Sequence, residues 1–299
     1  MSRDKSRKTQ RPKTRDQSSA AAEVSDPGEK LQKVLAGAGL GSRREIETWI
    51  SAGRVLVNGD PAHLGQRVAP TDRIEVDGKR VKTHRSVAGE VLIMNKAAGV
   101  VCTRRDPEGR PTIFEDLPHL RNGRWIGVGR LDIQTSGLLL LTNDGMLANK
   151  LTHPSTGLDR EYAVRINRRL GDDELGVLTA GILTEEGDTL RFSDIRYYDG
   201  TDNNAWYHVV LMEGKNREVR RLFESLGCTV SRLKRVRYGP VMLPSWLRNG
   251  QWAQLARDDT KQIYKLLGLR YNSVKRPPGK ASRVAKTSCL LPYPKLPGA

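Results

Sequence analysis

Apolar positions recur at helical spacing at Leu31, Val34, Leu35 and Ala38, and Gly39 and Gly41 close that first helix. A second helix opens at Ser42 with a capping box. The Ser42 side chain accepts from the backbone at Glu45, and the glutamate reaches back. This helix buries Ile46, Trp49 and Ile50 and stops at Gly53. A short strand from Arg54 runs into an Asn58-Gly59 turn, and a second alternating strand from Arg73 runs into Asp77-Gly78. Residues 29–82 thus read as a small module of two helices followed by short strands.

A polar linker, residues 83–90, leads to a second and larger domain, residues 91–270. Residues 91–96 read as a buried strand, with further strands expected at 99–103, 137–142, 161–166, 194–198, 206–212 and 230–236. Helices are expected near 146–151, 172–180, 216–226 and 260–267, and Asp144-Gly145 reads as a turn ending a strand. Strands dominate and regular βαβ units are few, so the expected class is α+β with a mixed, largely antiparallel sheet.

Composition adds the tails and the partner. Residues 1–28 carry little to bury, and residues 271–299 carry six Lys or Arg and no Asp or Glu; both are expected to be disordered basic tails. The chain of 299 residues has 51 Lys and Arg against 34 Asp and Glu, a formal net charge of +17, which makes a polyanion the first partner to consider. No apolar run nears the ~18 residues of a membrane span, and the first residues lack the apolar stretch of a secretion signal. Cys102, Cys228 and Cys289 are widely spaced, which supports neither a disulfide framework nor a zinc site. The expectation is a cytoplasmic protein.

Cofactor motifs are missing. No phosphate-binding GxxxxGK[ST] occurs, and Gly127 and Gly129 lack the third glycine of a dinucleotide fingerprint. No HExxH or GxSxG is present, and the five histidines are scattered. The informative stretch is 125–145, where Arg130 and Asp132 lie on a Gly-permissive loop before a fully apolar strand. A carboxylate buried there needs a cation or hydrogen bonds. Arg130 is one candidate partner, and an ion pair that merely pins the loop is the alternative. On the 160–166 strand Arg160, Tyr162, Val164 and Ile166 share a face, so Tyr162 either fills core or stacks on a base. A helix expected from an Asn216 cap buries Val219, Leu222, Phe223 and Leu226. Lys215, Arg217, Arg220 and Arg221 crowd its N-terminal end, against the helix dipole, which suggests a partner anion. Arg232, Lys234, Arg235 and Arg237 continue the basic character.

The stretch EKLQKVLAGAGLGSRREIETWISAGRVLVNG with DRIEVDGK resembles the S4-type RNA-binding domain. That resemblance implies a phosphate-contacting face made by Arg43, Arg44 and Arg54. The segments GRLDIQTSGLLLLTNDG, REYAV and EGKNREVRRLFESLG resemble the RNA pseudouridine synthases, in the branch that carries an N-terminal S4-type domain. CTRRDPEGRPT and SRLKRVRYG resemble the subgroup that acts on large-subunit rRNA. The resemblance covers about residues 29–268 and implies uridine isomerisation in rRNA by a monomer without a metal or other cofactor. It makes Asp132 the essential carboxylate, Tyr162 the ring that stacks on uracil, and Arg220 the arginine paired with the aspartate. Arg130 and Thr135 support the loop, and Lys215, Arg217, Arg221 and Arg235 join the RNA-binding set. Two alternatives remain at this point: a small-subunit target, and an inactive S4-domain assembly factor.

Overall fold

The computed structural model describes residues 28–83, 89–120, 123–184, 187–272 and 286–296. The N-terminal tail to residue 27, linker residues 84–88 and the tail residues 273–285 and 297–299 lie outside the described residues.

The first module forms as its pattern dictates. Strand β1 (Glu29–Lys30) precedes α1 (Leu31–Gly37) and α2 (Arg43–Ser51), followed by β2 (Val55–Val57), β3 (Asp60–Pro61), β4 (Arg67–Val68), β5 (Ile74–Val76) and β6 (Lys79–Arg80). Glu45 N donates to Ser42 Oγ at 3.0 Å and Ser42 N to Glu45 Oε2 at 3.2 Å, so the capping box is complete. Asn58 and Gly59 both take positive φ, 56° and 99°, as a two-residue turn between antiparallel β2 and β3 requires. Leu31, Leu35, Ile46, Ile50, Val55 and Ile74 close a separate small core.

The second domain is built on one ten-stranded sheet. Its elements in chain order are β7 (Val91–Lys96), β8 (Ile126–Val128), β9 (Ser136–Thr142), α3 (Gly145–Thr152), β10 (Arg160–Ile166), α4 (Asp172–Ala180), β11 (Ile182–Leu183), β12 (Thr189–Leu190), β13 (Asp194–Thr201), β14 (Asn204–Leu211), α5 (Glu218–Glu224), β15 (Val230–Tyr238), β16 (Val241–Met242), β17 (Trp252–Leu255), α6 (Arg257–Leu266) and β18 (Lys286–Thr287). The order across the sheet is β13-β14-β10-β15-β9-β7-β17-β18, with β8 on β9, β16 on β15, and β11 paired apart with β12. Only β15–β9 and β17–β18 run parallel, so the expected α+β class with a largely antiparallel sheet is what forms.

Two cores lie on opposite faces of this sheet. Leu92, Met94, Leu139 and Leu141 point to one, with Tyr162, Val164, Val209, Leu222 and Phe223. Val91, Ile93, Leu138 and Leu140 point to the other, with Leu147, Leu151, Ile263 and Tyr264 of α3 and α6. Strands covered on both faces are apolar throughout, which is why β7 and β9 show no alternation.

Four expectations change. Residues 99–103 form no strand; Val101 makes one isolated bridge to Thr112, because Gly99, at φ 86°, turns the chain back so that its N–H donates to Ile133 O at 2.8 Å. Asp144 does not close a turn but caps α3, accepting from Met146 N at 2.7 Å and Leu147 N at 3.3 Å. The helix expected from Asn216 begins at Glu218, after Arg217 in the left-handed region at φ 49°; the Glu218 carboxylate, not Asn216, accepts from Lys215 N at 3.0 Å. The basic C-terminal segment is not loose across 286–296. There β18 adds to the edge of β17, Asp259 accepts from Ser288 Oγ and Cys289 N, and Leu296 is buried in the core that α3 and α6 also line. A few apolar residues and one carboxylate suffice to hold a stretch that composition alone marks as solvated.

The same segment is tied to β10 and β15 through charge. Arg237 donates to both oxygens of Asp159, at 2.8 and 2.7 Å, and to Glu161 at 2.9 Å; the Tyr293 hydroxyl donates to Asp159 at 2.7 Å. Burial alone would raise both carboxyls. The hydrogen bonds from Arg237, joined by Tyr293 at Asp159 and His208 at Glu161, outweigh it and hold both below the usual carboxylate range. Because the folded values are depressed, this stabilisation is complete above about pH 4 and is lost as pH falls through the folded values. Arg237→Met is expected to lower stability by about 3 kcal/mol near neutral pH. In thermal melts the gap between wild type and variant should close as the pH is lowered below about 4; a gap independent of pH would show that the carboxylates contribute nothing.

Candidate active site

The site is organised by the turn before β9. Thr135 N donates to Asp132 O at 3.0 Å and closes it. Beneath the turn lies Lys96, the last residue of β7, 1% exposed. Its ammonium donates to the carbonyls of Thr135 at 2.7 Å, Ala97 at 2.9 Å, Asp132 at 3.1 Å and Ile133 at 3.4 Å. Burial lowers the Lys96 pKa, and Cys102 and Asp132 act against that shift. A cation with no buried carboxylate bonded to it is thus satisfied wholly by backbone oxygens, and in return it fixes three carbonyls of the turn. Leu131 is buried, which turns the neighbouring Asp132 side chain outward.

Asp132 is exposed, contrary to the buried carboxylate expected from the adjoining apolar strand. The physical reason is the turn itself: β9 begins only at Ser136, so the apolar run does not enclose position 132. Arg130 is also exposed, and among the described residues it makes no ion pair with Asp132. Thr135 is buried, and its hydroxyl oxygen has no hydrogen-bond partner among the described residues.

Arg220 reaches this turn from α5, and Tyr162 lies on β10, two strands from β9. In register, Tyr162 on β10 faces Arg235 on β15, and Arg235 faces Gly137 on β9. At about 4.8 Å between strands, Tyr162 lies two strands from the residue that follows the turn. Gly137 has φ 102° and packs directly against the Arg235 backbone, an approach that a side chain would block. Tyr162 is 8% exposed, and its hydroxyl makes no hydrogen bond among the described residues. Arg220 on α5 donates to Val230 O at 2.9 Å and to Gln134 O, within the turn, at 3.5 Å. It makes no ion pair with Asp132 within 4.0 Å, so the expected direct pairing is absent; burial lowers its pKa, as does Arg217, while Asp132 acts in the opposite sense. Its Nε is buried and without a hydrogen-bond partner among the described residues. Arg220 thus reaches the turn that bears Asp132 and that Lys96 holds from below, while Tyr162 stands two strands away in register.

The expected RNA-contacting residues divide. Arg43 and Arg44 are exposed at the start of α2. Arg54 is exposed but committed: it donates twice to Asp77 and its guanidinium lies 5.0 Å from the Trp49 ring. Lys215 bonds Asp188 at 3.2 Å, Arg217 lies 3.4 Å from Glu224, and Arg221 is half-buried on α5. Arg235 contradicts the surface role. It is 3% exposed, donates from Nε to Leu138 O at 2.8 Å and lies over the Tyr238 ring at 5.0 Å, because its strand is central and covered. Among the described residues no group of His, Cys, Asp and Glu is arranged to hold a metal ion.

Three basic residues escaped the sequence reading. Lys96 looked like the polar end of an apolar strand, and nothing in its neighbours signals the turn it supports. Arg104 and Arg124 are separated in sequence but near in space: burial, then Arg124, lowers the Arg104 pKa, while burial lowers that of Arg124, opposed by Glu45 and reinforced by Arg43. Arg104 donates to Trp125 O and lies 4.3 Å from the Phe114 ring. The first module meets this region directly, since a Cβ at Gly39 would lie 2.7 Å from Gly123 O. Arg43, Arg104 and Arg124 thus lie around the junction of the two domains.

Comparison with known proteins agrees with this architecture. The RNA pseudouridylate synthase family pattern matches residues 90–225, and the S4 domain pattern matches residues 29–74. A protein of Pseudomonas aeruginosa named "Ribosomal large subunit pseudouridine synthase B" is 54% identical over 246 residues, covering 81% of this chain and 64% of that protein. One of the same name from Escherichia coli K12 is 50% identical over 261 residues, covering 86% and 87%. A third, from Xylella fastidiosa, is 51% identical over 255 residues, covering 83% of this chain but 53% of its own length, so the chain spans less than two thirds of some of the curated relatives it matches. A solved structure titled "Crystal structure of pseudouridylate synthase" superposes with a TM-score of 0.55 at 25% identity, covering 79% of this chain and all of that one. With an S4 domain in front and the synthase domain behind it, the chain belongs to the RNA pseudouridylate synthase family.

Proposed function

We propose that this protein isomerises uridine to pseudouridine at a specific position of large-subunit rRNA, with Asp132, Tyr162 and Arg220 as its catalytic residues. The observation that supports this reading is the turn held by Lys96, which bears Asp132 and receives Arg220 at the Gln134 carbonyl, with Tyr162 two strands away in register. The reaction breaks the bond between N1 of uracil and C1′ of the ribose, turns the base, and joins C5 to C1′; C5 loses its proton and N1 regains one. Atoms and electrons balance without an oxidant, a reductant or an energy source. A stacked base is out of reach, so the nucleotide has to be extruded from its helix or loop. The exposure of Asp132 suits this, because the carboxylate faces the space an extruded nucleoside would enter. Tyr162 supplies a ring with a free hydroxyl for the uracil, and Arg220 supplies positive charge near Asp132 as charge shifts during bond cleavage. Thr135 closes the turn through its backbone, and Arg130 flanks it.

The S4 module supplies Arg43 and Arg44 for the RNA backbone, with Arg104 and Arg124 at the domain junction. No helix among the described residues is long and apolar enough to cross a membrane. The reading is of a cytoplasmic monomer working on rRNA or an assembling particle. The large-subunit target is favoured by the names of the relatives and by the CTRRDPEGRPT and SRLKRVRYG segments. Mapping pseudouridine in total rRNA by carbodiimide-dependent reverse-transcription stops, from cells with and without the gene, tests the proposal. One large-subunit stop should vanish. Loss of a small-subunit stop would redirect the target, and an unchanged map would leave an RNA-binding factor without activity.

A further inference from the structure

Among the described residues, no helix packs over the outward side of one quarter of the sheet, where most side chains are half-buried. On β10 and β14 burial alternates strictly, so Tyr162, Val164, Ile166, Tyr207, Val209 and Leu211 point into the core shared with α4 and α5. Ala163, Arg165, Trp206 and His208 point the other way. There α3 and α6 cover only the strands around β7, β9 and β17. This quarter carries two cross-strand rows. One runs Arg232, Arg165, Trp206 and the other Lys234, Ala163, His208, Arg196.

The chemistry of these rows is one-sided. Arg165 and Arg232 stand directly opposite each other, an arrangement of like charges that costs stability in a sheet. Neither Arg232 nor Lys234 forms an ion pair among the described residues. Arg165 lies 5.9 Å from the Trp206 ring and donates to Ser231 at 2.9 Å. Tyr198 is 71% exposed and its ring lies 5.1 Å from that of His208. Of the acids nearby, Asp194 bonds Arg196 and Glu161 bonds Arg237 and His208; Asp199, opposite Trp206 in register, accepts among the described residues only from Gly200 N and puts one carboxylate at the β13 end of the first row. Flat rings beside cations without an ion-pair partner are what a single strand of nucleic acid needs: stacking for bases and positive charge for phosphates.

We infer that this outward sheet face is a second RNA-binding surface, which takes a single-stranded segment of the substrate RNA away from the catalytic turn. The inference rests on the proposed RNA substrate and adds a surface to it. Trp206 and Tyr198 receive bases; Arg165, Arg232 and Lys234 receive phosphates. A strand held there lengthens the footprint on a large RNA without touching the reacting uridine.

The test uses the full chain and a fluorescent oligoadenylate of about 12 nucleotides, which contains no uridine. Anisotropy titrations compare wild type with Tyr198→Ala and Arg232→Glu, both at exposed positions, and circular dichroism melts verify folding. Each variant should bind about tenfold more weakly, and Arg232→Glu should reduce the salt slope of log K by about 0.7. Isomerisation of a short rRNA stem–loop should be unchanged. Ultraviolet crosslinking should place oligoadenylate adducts on the peptide containing Tyr198 and Trp206. Equal affinity of folded variants and wild type overturns the inference, as do adducts confined to the S4 module or to residues 130–135. If wild type binds oligoadenylate in this way but isomerises no rRNA, the catalytic reading fails and the surface stands.

Discussion

Asp132→Asn is expected to abolish pseudouridine formation while leaving the protein folded and bound to RNA. The substitution is nearly isosteric and the side chain is exposed, so the melting temperature should move little, within about 0.5 kcal/mol of stability. The carboxylate is nevertheless the group to which the proposed mechanism assigns attack or glycal formation, and an amide can do neither. The drop in kcat should exceed about 10^3-fold. Because isomerisation expels the proton at C5, release of tritium from RNA labelled at that carbon reads the chemistry directly, and filter binding reads affinity. Dissociation constants should stay within about threefold. Turnover that survives the substitution would remove Asp132 from the mechanism and, with it, the reason for the surrounding geometry. A variant that lost binding and turnover together would make Asp132 a contact for RNA.

Lys96→Met has the second largest expected effect, and it acts on both stability and rate. Methionine keeps most of the aliphatic stem but has no donor for the carbonyls of Asp132, Ile133 and Thr135. Carbonyls left unsatisfied beside the core cost about 1–3 kcal/mol each, reduced where water can enter, so the domain should lose about 3–5 kcal/mol. The turn then relaxes, and displacement of a reacting group by ~1 Å is enough to cost about 100-fold in kcat. Chemical denaturation measures the first effect and single-turnover tritium release, below the melting transition, the second. A variant with full activity and lowered stability would confine Lys96 to packing. Equal losses in kcat with an unchanged KM would fit a residue that positions the turn without touching substrate.

These two residues differ in how far the sequence announced them. Asp132 lies in a motif that resembles a known family, and its loop, the strand after it and the Tyr162 strand were all legible from periodicity. Lys96 was not, because its partners are backbone carbonyls some 40 residues on, and a carbonyl carries no sequence signature. The basic residues divide in the same way. Arg43 and Arg44 open a capped helix and are exposed as expected, whereas Arg235 stands among basic neighbours and is buried. Its strand sits between β10 and β9 in the sheet, and strand order is a long-range fact. Asp132 shows the converse: an apolar strand beside it suggested burial, and the turn before β9 puts it in solvent.

The sequence by itself determined the two-module plan, the capped α2, the Asn58-Gly59 turn, the family resemblance and the nomination of Asp132, Tyr162 and Arg220. The plan, the cap and the turn depend on neighbours within one or two turns, where propensity, capping and alternation act, and the three residues were nominated by the motifs' resemblance to a family. The tertiary structure decided the rest: which face of the sheet no described helix covers, that residues 286–296 add to a sheet edge, that Arg220 grips backbone instead of pairing with Asp132, and that a buried ammonium holds the turn that bears Asp132. Those outcomes depend on which strands lie side by side. Hydrophobic burial drives that choice without direction, so it leaves only its total, and not its partners, written along the chain.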